Sequence, residues 1–304
     1  MKKNMNLVKL SEFTEENARE YLEGIRWENG TACAHCNSKN VIKLQGKSTR
    51  KGVYKCRDCR KQFTVTVGTV FEGSHIPLKK WLMAFHLICS SKKGISALQL
   101  QRNLGLTYKS AWHMAHRIRY TMKQEPLAGM LKGKVEVDET YIGGKKKGIR
   151  GRGAKGKTPV VALVQRDGEV RAKPIERVSA KQLKKVIREN VHKNSTIYTD
   201  DWRSYRGIGK EYSGGHKVIK HSVGLYVRGD VYTNTVEAYF ALLKRGVHGT
   251  FHHVSKKHLH RYCEEFNFRW NSRKIEDGER TIKAIKCIEG KRLMYRDPIK
   301  ALLN

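Results

Sequence analysis

Two Cys-x-x-Cys pairs, Cys33-Ala-His-Cys36 and Cys56-Arg-Asp-Cys59, stand 19 residues apart and constrain the early part of this 304-residue chain more tightly than any apolar pattern. Two thiolate pairs on two tight turns match the ligand spacing of a tetrahedral four-cysteine zinc site, which leaves no open coordination position and so serves structure. The β-like runs 40–44, 52–55 and 62–66 then read as the strands of a zinc ribbon held together by the metal, with basic residues around it placed to meet phosphate. His35 is an alternative ligand, but four thiolates already suffice; Cys89, Cys263 and Cys287 are isolated and read as core residues. This cysteine usage fits a reducing compartment better than a disulfide framework.

Charge bounds the partner. Sixty-two Lys and Arg against 28 Asp and Glu leave +34, spread along the whole length. Such a field binds polyanions with a steep salt dependence, so nucleic acid is the expected partner. The first residues carry no signal-like apolar run, and no stretch of 18 apolar residues occurs, which points to a soluble, cytoplasmic, nucleoid-associated protein and not a membrane one. The length suits two or three domains.

Residues 9–26 read as a helix with Phe13, Ala18, Tyr21 and Leu22 on one side and Ser11 or Thr14 as caps. From Pro77 a second helix carries Trp81, Phe85 and Ile88 and ends at Gly94; 96–104 and 107–120 form two more about Gly105, with Leu100, Leu104, Leu106, Ala111, Ala115 and Ile118 inward. That layout is a helix-turn-helix, whose second helix would offer Tyr108, Lys109, His113 and Arg117 to a major groove.

After a linker at 125–129 the pattern turns to strands. In Lys134–Gly143, strict alternation sets Val135 and Val137 on one face and Glu136 and Asp138 on the other. Carboxylates on a buried strand are costly unless paired or bound to a cation, so these two suggest a metal. The Gly, Lys and Arg of 143–157, among them Lys146, Arg150 and Arg152, read as a basic loop that tracks a phosphate backbone, or as a solvated hairpin tip. Strands at 158–165 and 170–178, a helix over 179–191 and a strand at 195–199 follow, and that last strand ends at Asp200-Asp201. Three strands, a helix and a strand are the beginning of a ribonuclease H-like mixed sheet, in which the first and fourth strands are neighbours. Asp138 and Asp200 would then meet, with Asp201 as the rival. The helix 234–247 has an apolar stripe of Val236, Phe240, Leu243 and Val247, and a second stripe of Asn234, Glu237, Ala241 and Lys244. A last helix at 255–270 buries Leu259, Tyr262 and Phe266 and leaves His258, Arg261 and Arg269 outside.

Three carboxylates without a dedicated base suit two-metal phosphoryl transfer, in which two Mg²⁺ about 4 Å apart serve the attacking and leaving oxygens. Lys244 suits a phosphate contact.

The cysteine pairs, Val137-Asp-Glu-Thr-Tyr-Ile-Gly-Gly144, Thr199-Asp-Asp-Trp-Arg-Ser-Tyr205, the run Asn234–Gly246 and His258–Phe266 resemble the DDE transposases of the bacterial insertion sequence 1595 family, over residues 20–275. The resemblance implies a transposase that binds the terminal inverted repeats of its element, cuts there with Mg²⁺ or Mn²⁺, and joins the 3′-hydroxyls to target DNA. It carries the family's two aspartates to Asp138 and Asp200 and its downstream lysine to Lys244. The third position falls to Glu237 as ligand with Asn234 beside it, and Asn234 is the rival. Holding two ends together implies at least a homodimer on double-stranded DNA. The expected division is an α/β protein: 1–70 N-terminal helix and zinc ribbon, 71–127 an all-α helix-turn-helix domain, 128–275 the ribonuclease H-like domain, 276–304 a basic tail. A ribonuclease H-like nuclease or resolvase, or a zinc and helix-turn-helix regulator without catalysis, are the alternatives.

Overall fold

The computed structural model describes residues 5–123, 129–144, 156–219 and 232–295. They fall into two compact units, Met1–Met122 with Ile275–Asn304, and Lys123–Lys274.

In the first unit the expected N-terminal helix is two: α1 (Leu7–Glu12) and α2 (Glu15–Arg26). Thr14 divides them because its hydroxyl accepts the Asn17 N–H while the Asn17 side chain accepts the Thr14 N–H, a capping box that starts a helix afresh. Strands β1 (Val41–Lys43), β2 (Tyr54–Cys56) and β3 (Gln62–Phe63) pair antiparallel in that order, shorter than expected. Trp27, Tyr54 and Phe63 pack against the buried Cys33 and Cys56 to give this ribbon its small core. Helix α3 (Leu78–Ser90) buries Trp81, Phe85 and Ile88, and its first N–H groups donate to the Glu15 carboxylate of α2. Helices α4 (Ala97–Leu104) and α5 (Tyr108–Thr121) flank Gly105, which adopts the left-handed conformation (φ +58°) that ends α4. Leu100, Leu104, Ala111, Ala115 and Ile118 are buried, and Leu106 is half-buried.

Two features differ from the expected division. Residues 277–286, read as part of a basic tail, form the last described helix, α9 (Asp277–Lys286). Its Thr281, Ala284 and Ile285 recur at helical spacing and are buried, and Arg280 donates to the Cys89 carbonyl at the end of α3. The ribbon and the helices also fall within one compact unit, in which α3 packs on α1, α2 and α9.

The second unit is a five-stranded mixed sheet: β4 (Lys134–Ile142), β5 (Thr158–Gln165), β6 (Val170–Pro174), β7 (Thr196–Asp200) and β8 (His216–Ile219), in the spatial order β6-β5-β4-β7-β8. The first three strands are antiparallel, while β7 and β8 run parallel to β4. Strand β8 went unread in the sequence because it is short, half exposed and preceded by Gly214-Gly215. One face is covered by α6 (Ala180–Asn190), which Ser179 caps, and by short turns carrying Tyr205 and Ile208. The other is covered by α7 (Asn234–Gly246), continued by one π-turn to Phe251, and by α8 (Leu259–Asn271).

Helix α8 also closes the β6 edge. Asn267 accepts the Ala172 N–H and donates to its carbonyl, and Asn271 does the same for Val170, so two amides one helical turn apart stand in for a sixth strand. Arg269, expected outside, is buried and paired with Glu265 at 2.5 Å.

Candidate active site

Strand alternation sends Val135 and Val137 to the α6 face and Glu136 and Asp138 to the α7 face. Glu136 pairs with Tyr198 at the end of the parallel β4–β7 ladder, and Asp138 and Asp200 each follow two residues beyond that pair. Asp200 ends its strand and accepts the Trp202 N–H through Oδ1, whereas Asp201 is exposed beyond it. On α7, Val236, Phe240, Leu243 and Val247 are buried in the sheet-facing core, and Asn234, Glu237, Ala241 and Lys244 lie on the exposed stripe. Glu237 accepts a hydrogen bond from Thr233, 3.4 Å away.

Electrostatics ties the three acids together. Burial, the neighbouring Glu139, and then the charges of Asp200 and Glu237 push the Asp138 carboxyl up to about 7, against the Glu139 N–H that donates to it and acts the other way. Carboxylates that repel one another in this manner are relieved by a hard divalent cation, and oxygen donors of this kind fit Mg²⁺ or Mn²⁺. Their oxygens do not meet at one point. Among the described residues, the group of three or more possible ligands that converges, with all ligand atoms within 4.8 Å, is the cysteine quartet.

Glu136 is not a member of the acid cluster, although its strand face suggested one. It is fully buried, and its carboxylate accepts the N–H groups of Thr235 and Val236 (2.9 and 3.0 Å), the Thr235 hydroxyl (2.9 Å) and Arg166 Nε (2.7 Å). Glu139 points to the opposite face, where the Tyr205 hydroxyl donates to it.

In the ribbon, the Sγ atoms of Cys33 and Cys59 are 3.6 Å apart, as are those of Cys36 and Cys56. Zinc–sulfur bonds of about 2.3 Å in a tetrahedron place sulfurs roughly 3.8 Å apart, so the quartet fits a zinc ion. Asn37 and Arg60, each directly after the second cysteine of a pair, hold positive φ (60° and 61°), and the Cys33 and Cys56 N–H groups close the two turns on Ser38 and Lys61.

The four residues expected to read DNA from α5 part company. Tyr108 and Lys109 are exposed, and His113 is half-buried against Tyr295. Arg117 is buried, lies over the Trp81 ring at 5.2 Å and donates to the Glu72 carbonyl, so it belongs to the core and not to a groove-facing surface. Each step of four overshoots the helical turn by about 40°, which brings position 117 round to the side packed on α3. Lys146, Arg150 and Arg152 lie outside the described residues, as does most of the 125–129 linker.

Residues 130–271 match the family model described as the ISXO2-like transposase domain, and residues 13–62 match the transposase zinc-ribbon domain. An uncharacterized protein in transposable element ISH50 of Halobacterium salinarum is 30% identical over 273 residues, spanning 84% of this chain and 90% of that protein. The chain belongs to the insertion sequence 1595 transposase family. Among solved structures, it is similar to the Mos1 strand transfer complex (12% identity, 62% of this chain and 69% of that one, TM-score 0.29). It is also similar to a pre-cleavage Mos1 transpososome (15%, 66% and 75%, TM-score 0.25). The sequence did not show that Glu136 is engaged by Arg166 and the first turn of α7, because a Glu two residues from an Asp on one strand face looks like a second ligand. No helix is long and apolar enough to cross a membrane among the described residues.

Proposed function

We propose that the chain binds the terminal inverted repeats of its own element and catalyses cleavage and strand transfer at the acid cluster of its second unit. What supports this is the arrangement of strands β4 and β7 and helix α7, which carry Asp138, Asp200 and Glu237, with the charges of Asp200 and Glu237 adding to burial and Glu139 in raising the Asp138 carboxyl. The strand order and directions support a ribonuclease H-like catalytic domain. Asp138, Asp200 and Glu237 would hold Mg²⁺, which supplies an activated attacking oxygen and a stabilised leaving oxygen. Asn234 starts α7 beside the cluster and is the other candidate for the third position. Lys244 lies seven residues along the exposed stripe from Glu237, about 10 Å up the axis, where a DNA phosphate beside the reacting one would pass. Cys33, Cys36, Cys56 and Cys59 bind a structural zinc, and Tyr108 and Lys109 lead the α5 contact with double-stranded DNA, with His113 behind them. Both ends are held by at least a dimer.

The test is an in vitro reaction with the element's end DNA and Mg²⁺ or Mn²⁺, comparing wild type with Asp138→Ala, Asp200→Ala, Asn234→Ala and Glu237→Ala. Cleavage with joining to a second DNA, abolished by the first two and by Glu237→Ala, supports the reading. Cleavage without joining favours a nuclease; end binding without either favours a regulator.

A further inference from the structure

Beneath the acid cluster lies a buried ionic latch that no family resemblance assigns. Helix α7 has no side-chain cap of its own: Thr233 precedes it, and its hydroxyl accepts none of the first-turn N–H groups. The cap comes from a distant strand, through the Glu136 carboxylate on the Thr235 and Val236 N–H groups. An anion at a helix N-terminus is favoured by the unsatisfied N–H groups and by the helix dipole. Arg166, at the end of β5, neutralises the same carboxylate at 2.7 Å and donates from Nη2 to the Tyr232 carbonyl just before α7. Its guanidinium lies between two aromatic rings, 4.2 Å from the Tyr198 centroid and 3.7 Å from that of Tyr232. One ion pair therefore joins β4, β5, β7 and the entry to α7.

The geometry matters because Glu136 is two residues from Asp138 on the same face of β4, while the amides it holds are two and one residues before Glu237 on α7. Tyr198, stacked on Arg166, is two residues before Asp200. Each acid of the cluster thus sits next to a latch residue on its own element. We propose that Glu136 and Arg166 are positioning residues that set where Glu237 stands relative to Asp138 and Asp200, and so set the affinity of the cluster for divalent cation. This inference rests on reading that cluster as the metal site. Glu136 is not itself a ligand, because among the described residues its two carboxylate oxygens are taken up by α7 and Arg166.

The test uses the full-length protein and Mn²⁺ as probe, followed by its electron paramagnetic resonance, with Glu136→Gln and Arg166→Lys compared with wild type and Asp138→Asn. Glu136→Gln removes a negative charge, which by itself weakens cation binding. Arg166→Lys leaves the charge unchanged while removing the planar guanidinium with its two N–H contacts and its ring stack, so it tests geometry apart from charge. The expected result is Mn²⁺ affinity weaker by about tenfold or more in both variants. End-DNA binding and zinc content stay as in wild type, and cleavage is partly recovered at high Mn²⁺. Wild-type Mn²⁺ affinity in Arg166→Lys overturns the proposal, as does a Glu136→Gln variant that is folded yet dead at every Mn²⁺ concentration like Asp138→Asn, since that is the behaviour of a ligand. If wild type binds Mn²⁺ but does not cut, the transposition reading fails while the affinity comparison still decides the latch. If wild type binds no Mn²⁺, the metal reading fails, and amide exchange at Thr235 and Val236 decides the latch: exchange unchanged in both variants overturns it.

Discussion

Asp138→Asn is expected to stabilise the second unit while removing its chemistry. The wild-type carboxyl has its pKa carried from an ordinary 3.8 to about 7 by burial and by Glu139, Asp200 and Glu237. In the folded state the ionised form is therefore disfavoured by up to about 4 kcal/mol, at 1.36 kcal/mol per pH unit. An unfolded chain releases this proton near pH 4 and the folded one near pH 7, so across that interval the native state binds more protons and stability falls as pH rises. Above about pH 7 the full penalty is present, and below about pH 4 it is absent. Asparagine keeps an oxygen to accept the Glu139 N–H and carries no charge. Its advantage over wild type should thus be negligible near pH 4, grow through the interval, and level off at roughly 2–4 kcal/mol near pH 8, the lower figure allowing for the partial exposure of the site. The assay is urea unfolding at several pH values in Mg²⁺-free buffer with zinc retained, read by pulsed amide exchange in β4 and β7 so that the second unit alone is followed. Added Mg²⁺ should shrink the difference by stabilising wild type only. An advantage that is absent near pH 8, or equal at acid and alkaline pH, refutes the claim that burial and the neighbouring acids raise Asp138.

Further outcomes follow from other contacts. Asn267→Ala should cost more than Asn271→Ala in chemical denaturation, because it orphans the Tyr239 hydroxyl as well as the Ala172 backbone pair; about 1–3 kcal/mol is expected for each loss of buried partners. Cys56→Ser, or zinc chelation, should unfold the ribbon and leave β4–β8 amide protection unchanged; loss of protection in both units would contradict the assignment of the quartet to the first. Arg117→Ala should lower the melting temperature of the first unit, since it strips the Glu72 and Trp81 contacts. Lys109→Ala should instead weaken end-DNA binding and reduce its salt slope by about one, with little change in melting.

Much of this architecture was legible in the sequence because it is set by local rules. The cysteine spacing specifies turns that bring sulfurs together, and the strand-helix alternation specifies a mixed sheet with β4 beside β7, whatever fills the loops. The stripes of α7 are equally local, since the helical repeat of about 3.6 residues alone separates Val236 and Phe240 from Asn234 and Glu237. The side of α5 that faces solvent was not legible in this way: Arg117 looked like a groove reader because Arg at helical spacing from Lys109 carries the same signature whether a neighbour covers it or not. Helix α9 was lost among basic residues for the converse reason, its short apolar stripe having meaning only once α3 is there to receive it.

The sequence by itself determined which residues could form a site: four cysteines, three acids on predicted elements, an exposed lysine. Their division of labour was decided only by the tertiary structure. Glu136 and Asp138 share a strand face and differ by a single methylene in reach, yet one meets the N-terminus of a helix a hundred residues away and an arginine, while the other is buried in the field of Glu139, Asp200 and Glu237. A buried charge takes its role from the groups the fold places around it, because the low dielectric there weakens screening. Those neighbours come from separated parts of the chain, so no window of sequence contains them.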